Sequence, residues 1–505
     1  MSFLDSLERN RRERPHHPYL RHGDETVDFA EFDRRSNRAA HALRRLGVEK
    51  GDRVTLAMGN SVEWLAAAYG ALKAGALLHP VNPALGAREL GWILAHADPR
   101  VIVTDRAAPP TVRAADVRPK DARVALFGGA EDELADAIAL EPLLAESPDG
   151  PPGVTFGADD ASLLLYTSGT TGAPKGVLFT HDRPGVSGAF VTGLGIVPGD
   201  VVLAVGPLFH GNAWGAASVA MDVGCTLAFP KTFSASAFWP LVHETGATVL
   251  FTLGTFLAIL LAEDRGSLES TSRLRLILGL GSAPIRAEVE RRFRVPDVLE
   301  CFGSTDAGVV TLEPVGATPR SGSAGPPLAG VRLRILDDEG RELPPRAPGE
   351  IAVASPFTMA GYYRDPERTR EAFRGEWFLT GDLGYLDEDG WLYFVDRKRD
   401  VIRRGGENVS SVLVESVLRE HPAVADVAVV GVRHPVLGQE LKAFVVSREA
   451  VTAEDLRAFA AERLASFQVP SLWEFREALP KTATQRTEKY KLRRESDSSS
   501  GPLLG

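Results

Sequence analysis

Apolar residues recur at three-to-four spacing through TVDFAEFDRRSNRAAHALRRLGV, which begins at residue 26, and then gather into the short runs RVTLAMG and ALLHPVN. The first pattern predicts an amphipathic helix and the two runs predict buried strands, so residues 26–150 have an α/β rhythm. RVIVTDR and RVALFG continue it, and the connector PDGPPG at 148–153 predicts a subdomain boundary near 150. From 162 to about 315 the strands SLLLY, VVLAVG, TLAFP, ATVLFT and LRLILGLG alternate with helical stretches. That is the pattern of a mostly parallel sheet covered on both faces.

Alternation of β type with repeated Asp/Gly turns then predicts a β subdomain over about 324–396. The charged run DRKRDVIRRGGEN at 396–408 interrupts it, after which VESVLREH, VADVAVVGV, LKAFVVS and EDLRAFAAERLA read helix, strand, strand, helix. The expected fold is therefore α/β: a large N-terminal domain, 1–399, of αβ-layered subdomains plus a β subdomain, followed by a small mobile α+β domain, 400–495. The last ten residues, 496–505, read as a disordered tail.

A chain of 505 residues, 44% hydrophobic and 25% charged, is long enough for several domains and for large cores. Its 57 basic and 67 acidic residues leave a net charge of -10, which argues against a general role on nucleic acid or anionic membrane. Cys225 and Cys301 form no CxxC pair and read as buried thiols. No apolar run approaches the ~20 residues of a membrane span, and MSFLDSLERNRRERPHHPYL lacks the core of a signal peptide, so a cytoplasmic location is expected.

The sharpest chemical feature is YTSGTTGAPKGVLFTH at 166–181, where a strand enters a run of small and hydroxylated residues that ends in a lysine. Gly169 and Gly172 let backbone amides approach an anion, Thr167, Ser168, Thr170 and Thr171 offer hydroxyls, and Lys175 adds a compact positive charge. This is a phosphate-binding loop. It is not a Walker A motif, which requires Ser or Thr after the lysine, whereas here Gly176 follows.

The loop resembles the phosphate-binding signature of the adenylate-forming superfamily of acyl-CoA synthetases, luciferases and adenylation domains. ECFGSTDAGVV at 300–310, TGDLGYLDEDGWLYFVDRKRDVIRRGGENVSSVLVE at 380–415 and the C-terminal LPKTATQRTEKYKLR are similar to that family's later motifs, in the same order. PLFHGNA and RRGGENVSS are closest to crotonobetaine/carnitine-type ligases. The resemblance implies ATP and Mg²⁺ as cofactors and CoA as co-substrate. It also implies a nucleotide site in which Gly281, Ser282, Ala283 and Pro284 line the adenine pocket with backbone. Phe302, with Gly303 and Ser304, gives adenine an aromatic face, Thr305 binds the α-phosphate, and Asp306, in place of the family's usual glutamate, binds the metal. Asp382 and Arg397 take the ribose. His210, Asn212, Trp214 and Gly279 fall at the acid pocket, with His210 as a gate, and Asp400 falls at a hinge that precedes Gly405, Gly406 and Glu407.

One position departs from the family. Aligned through Leu479, Pro480 and Thr482, Gln485 stands where the family has glycine and Arg486 where it has the catalytic lysine. A planar, forked guanidinium is not equivalent to an ammonium between two anionic oxygens. Arg486 does the work, or Lys489 or Lys491 reaches in after a register change, or the acid differs. The expected function is an ATP-dependent acid:CoA ligase acting on small molecules. The rivals are an adenylating enzyme with an amine acceptor, such as a diazotase that activates nitrous acid, and a non-catalytic nucleotide-binding protein. The oligomeric state is left open, with a homodimer among the options.

Overall fold

The computed structural model describes all residues except 1, 2, 107, 109–111, 113–116, 129–136, 168–173, 184–187, 264, 399, 405, 406, 435, 483, 484, 486 and 500–505. Two compact units emerge. The first contains residues 1–319, 328–331 and 354–378, and the second contains 320–327, 332–353 and 379–505.

Two sheets organise the first unit. One has the strand order Gly361–Tyr362, Lys175–Thr180, Ala161–Thr167, Leu77–Pro80, Arg53–Ala57, Val101–Asp105, Arg123–Phe127 and Ala137–Ala139. Its pairings are parallel except at the two that involve Lys175–Thr180. The other runs Asp297–Leu299, Leu276–Leu280, Val249–Leu253, Val201–Ala204, Thr226–Ala228, Pro18–His22 and Glu25–Asp28, parallel until the last pair. The apolar runs form these strands because helices cover them: Leu203, Leu250 and Ile277 are buried with Phe238, Trp239 and Phe293 in one core.

The helix Phe29–Arg45 begins where the Asp28 side chain accepts the Glu31 amide at 2.7 Å. It lies so close to the helix Val62–Lys73 that a Cβ on Gly70 would come 2.6 Å from the Cβ of Ala39. The predicted break near 150 is not a boundary between sheets. Residues 18–28 join the second sheet, 161–180 join the first, and 148–153 lie along the helix Phe29–Arg45, where Asn37, His41 and Arg44 bond the carbonyls of Asp149, Gly150 and Pro152. Local composition marked a connector, but strand pairing over long sequence distance decided the layers.

The second unit has two smaller sheets. Arg332–Leu336, Gly349–Ala354, Trp377–Leu386 and Leu392–Arg397 are neighbours in one. In the other, Gly438–Ser447 pairs with Ile402–Arg404, Val424–His434 and Leu472–Phe475, and the helices Ser411–Arg419 and Ala453–Ala461 cover it. The division expected at 400 therefore shifts: most of the β-rich segment clusters with the C-terminal elements. One physical reason is Asp396, 1% exposed, whose Oδ2 accepts from the Ser411 amide (2.6 Å), the Ser411 hydroxyl (2.8 Å) and the Ser410 hydroxyl (3.3 Å) at the start of the helix Ser411–Arg419. Residues 496–499 of the expected tail belong instead to the last helix, Lys489–Ser499, in which Leu492 and Ser496 are buried, and 500–505 lie outside the described residues. Cys225 and Cys301 are buried free thiols, and burial pushes Cys225 up to about 12.

Candidate functional site

In the first unit the strand Ala161–Thr167 ends at Thr167 and the strand Lys175–Thr180 begins at Lys175, and these two residues, both expected at the phosphates, are paired across the two strands. Ser168, Gly169, Thr170, Thr171 and Gly172 lie outside the described residues. Gly176 answers the missing Walker hydroxyl: a Cβ there would meet Leu164 at 3.0 Å, Tyr166 at 3.2 Å and Tyr363 at 3.3 Å, so strand packing favours glycine after the lysine.

The motif CFGSTD folds as a tight hairpin. Gly303 and Ser304 pair with Val309 and Gly308, Gly308 has φ +72°, and Thr305, Asp306 and Ala307 occupy the turn. A Cβ on Gly303 would come 2.6 Å from the Gly308 carbonyl oxygen, so the pairing needs glycine there. Phe302 is buried and its amide donates to Thr311 Oγ1 at 3.0 Å.

Two residues that sequence reasoning passed over organise this region. Tyr362 donates its hydroxyl to Asp306 Oδ2 at 2.6 Å, and the Lys175 Nζ stands 4.9 Å from the centre of its ring, within cation–π range. Burial and the Asp306 carboxylate raise the Tyr362 hydroxyl well above its ordinary range, so it remains the donor. Glu300 is the other. Its carboxylate accepts the amides of Gly281 (2.7 Å), Ser282 (2.7 Å) and Ala283 (3.0 Å), and burial pushes its pKa up to about 7 despite those donors. The signal was present as a lone charge inside the apolar run VLECF. Gly254 completes the loop's setting: a Cβ there would fall 2.1 Å from the Gly281 carbonyl oxygen. Pro284 follows in the short helix Ala283–Ile285.

The residues expected at the acid pocket separate. His210 Nδ1 accepts the Asn212 amide (3.3 Å) and caps the helix Gly211–Val223, while Asn212 Nδ2 donates to the Thr252 carbonyl at 3.4 Å. Gly279 is paired with Thr252, and a Cβ on it would meet Leu257 at 3.0 Å and Ser282 at 3.1 Å. Trp214 does not join them. It is 4% exposed, and its ring packs at 5.4 Å from Phe3, 5.8 Å from Trp64 and 6.1 Å from Tyr69. Two residues of helical rotation beyond Asn212 carry it to the face that meets neighbouring helices, so its expected place at the acid pocket is corrected to the core.

In the second unit, Asp382 and Arg397 are direct cross-strand partners, with Arg397 Nε 3.6 Å from Asp382 Oδ1. Asp400 is ion-paired with Arg493 of the helix Lys489–Ser499, and its amide donates to the Arg397 carbonyl at 2.8 Å. Glu407 begins the strand Glu407–Val409, and Gly405 and Gly406 lie outside the described residues. Arg486 lies outside them too, but its neighbour is informative. Gln485 has φ +61°, a left-handed conformation that favours the glycine of the related motif, and its amide donates to the Thr482 carbonyl at 2.9 Å. Lys489 is committed elsewhere: its Nζ is 2.7 Å from Glu415 Oε1 and 2.7 Å from Ser411 Oγ, with the side chain 13% exposed. Lys491 pairs with Glu488 one helical turn away.

Among the described residues no group of three or more His, Cys, Asp and Glu side chains is placed to hold a metal ion, and no helix is long and apolar enough to cross a membrane. A single carboxylate, Asp306, still suits Mg²⁺ accompanied by a nucleotide, because that ion is usually held by one or two carboxylates together with substrate phosphates.

Known proteins are similar to this chain over nearly its full length. Residues 7–363 match the AMP-binding enzyme family and residues 413–486 its C-terminal domain. The chain is 33% identical over 494 residues to a feruloyl-CoA synthase from an Amycolatopsis species, covering 96% of this chain and 97% of that one. It is 32% identical over 495 residues to the crotonobetaine/carnitine–CoA ligase of Salmonella paratyphi A, covering 92% of each. The anthranilate CoA ligase AuaEII in complex with anthranoyl-AMP superposes with a TM-score of 0.91 at 28% identity, covering 99% of this chain and 98% of that one. The expected α/β architecture with a smaller C-terminal part is borne out by that likeness. The chain belongs to the AMP-binding enzyme family, and it is an ATP-dependent adenylate-forming ligase.

Proposed function

We propose that this enzyme is an acid:CoA ligase: a carboxylate attacks the α-phosphorus of ATP and expels pyrophosphate, and the CoA thiol then attacks the acyl carbonyl and expels AMP. The observation that carries this reading is the convergence of Asp306 and Lys175, from motifs 131 residues apart (306 minus 175), on the single side chain of Tyr362. A fixed cation beside a fixed carboxylate suits a polyphosphate, and it needs no reorganisation when charge develops. The likeness to acyl-CoA ligases over nearly the full length of the chain supports CoA as the acceptor.

Lys175 stabilises phosphate oxygens, Thr305 donates to the α-phosphate, and the backbone of Gly281–Ala283, held by Glu300, receives the adenine against Phe302. Asp382 accepts from the ribose hydroxyls beside Arg397. Asp306 would hold Mg²⁺, which when bound neutralises phosphate charge. His210 and Asn212, the latter bonded to the Thr252 carbonyl, form the wall nearest the acid, and Asp400 serves as the pivot between the half-reactions. Arg486 takes the lysine's part. That assignment is favoured by the left-handed turn at Gln485 and by the engagement of Lys489 with Glu415.

The test is pyrophosphate release from Mg-ATP across aliphatic and aryl acids, with CoA as acceptor. Acid-dependent release with formation of an acyl-CoA is expected, and Arg486→Ala should lower it on the order of 10²-fold, the scale for loss of one transition-state donor. Release that proceeds only with nitrite and an aromatic amine would overturn the CoA assignment.

A further inference from the structure

Tyr362 belongs to none of the sequence motifs read for chemistry, yet its position is built with care. The strand Gly361–Tyr362 pairs with the strand Lys175–Thr180, Gly361 facing Leu178 and Tyr362 facing Val177. The Tyr362 amide donates to Thr369 Oγ1 at 2.9 Å, and the Thr369 hydroxyl donates to the Asp365 carbonyl at 2.8 Å. Gly361 has φ +153°, and a Cβ on it would meet the Thr369 methyl at 3.0 Å. The Met359 amide donates to the Asp306 carbonyl oxygen at 2.9 Å, so the same short segment holds the Asp306 backbone as well as its side chain. Tyr362 itself is only 7% exposed.

We propose that Tyr362 is a positioning residue that couples the phosphate lysine to the metal carboxylate: its hydroxyl sets the orientation of Asp306 and its ring face sets that of Lys175. The two halves of the side chain do separable work. The hydroxyl donates a short hydrogen bond to the Asp306 carboxylate, which fixes a side chain with only two torsions. The ring attracts an ammonium without neutralising it, which leaves the Lys175 charge available to an anion. The inference rests on the ligase reading for the roles of Asp306 and Lys175, but not on the identity of the acid or the acceptor.

The full chain is examined with Mn²⁺ as probe, its binding read by electron paramagnetic resonance in the presence of α,β-methylene-ATP. Binding of the nucleotide without metal is read separately by calorimetry. Tyr362→Phe is expected to weaken Mn²⁺ binding about tenfold while leaving metal-free nucleotide binding within twofold. Tyr362→Leu should also weaken metal-free nucleotide binding, to the level of Lys175→Ala. In an Asp306→Asn background, Tyr362→Phe should add no further loss of Mn²⁺ binding. Unchanged Mn²⁺ binding in Tyr362→Phe, equal losses in both measurements, or full additivity with Asp306→Asn would each overturn the proposal. These effects in the variants, together with a wild type that releases no pyrophosphate with any acid, would sink the ligase reading and leave the coupling by Tyr362 standing.

Discussion

Two buried carboxylates, Glu300 in the first unit and Asp396 in the second, each gather several donors from one short stretch of chain, and they do so to different ends. Glu300 takes three consecutive amides, Gly281 to Ala283, from a loop whose first residue has φ +79°. Asp396 takes the amide and hydroxyl of Ser411 and the hydroxyl of Ser410, at the first turn of a regular helix. Asp396 reinforces a structure that the Ser410 cap and the helix bonds already favour. Glu300 holds a loop with only the Ser282–Gly279 and Ile285–Ser282 backbone bonds beside it, inside a shell where Glu313 accepts the Glu300 amide and pairs with the buried Arg286. The difference lies in what the donors belong to, a non-helical loop in one case and a helix start in the other, and burial raises Glu300 to about 7 despite its three amide donors.

The largest effect should come from removing the Glu300 clamp. Glu300→Ala leaves the Gly281 and Ala283 amides without this acceptor, while the Ser282 amide keeps the Gly279 carbonyl at 3.0 Å; at about 1–3 kcal/mol for an amide left buried and unpaired, urea denaturation should show a loss of a few kcal/mol and the KM for ATP should rise. An unchanged KM for ATP with lowered stability would make Glu300 a core residue only.

Next is the pH dependence that follows from the raised Glu300 carboxyl. Because the folded pKa of Glu300, about 7, lies above its ordinary 4.5, the folded state keeps a proton that the unfolded chain loses. The stability owed to this group is therefore full below about 4.5, declines as pH rises to about 7 and is then level. The clamp runs the other way, since the charged form is the better acceptor. The KM for ATP should rise as pH falls through about 7 in wild type and stay flat in Glu300→Gln, as measured by initial rates at saturating acid.

A smaller loss is expected for Asp396→Asn, roughly 1 kcal/mol as for a weakened helix cap. Amide exchange at Ser411 and Val412 should accelerate while the KM for ATP does not move. A shift in that KM would erase the distinction between the two carboxylates. The smallest effect is a gain: Gln485→Gly removes a left-handed non-glycine residue and should add about 0.5–1 kcal/mol. No gain would mean that side-chain contacts of Gln485 offset the backbone strain.

The strands that the apolar runs predicted are present at Arg53–Ala57, Leu77–Pro80, Val201–Ala204, Val249–Leu253 and Leu276–Leu280, because a run buried on both faces has few other ways to satisfy its backbone. The loop ahead of Lys175 and the CFGSTD segment could be singled out as candidate chemistry from sequence, since glycines and hydroxyls at fixed spacing have few structural uses. Trp214 was misread, because its neighbours in sequence share an apparent wall and only the rotation of the helix separates them. Tyr362 was missed because its partners lie 56 and 187 positions away (362 minus 306 and 362 minus 175), beyond the reach of any local pattern.

By itself, then, the sequence determined the α/β alternation and the order along the chain of the YTSGTTGAPKG, CFGSTD and TGDLG segments, since each is written in local periodicity or residue type. Only the tertiary structure decided that residues 18–28 complete the second sheet, that Glu300 bears the 281–283 loop, and that Tyr362 joins Asp306 to Lys175. Those choices depend on strand pairing and burial between distant segments, and hydrogen bonds and packing energies act on distance in space, whatever the separation along the chain.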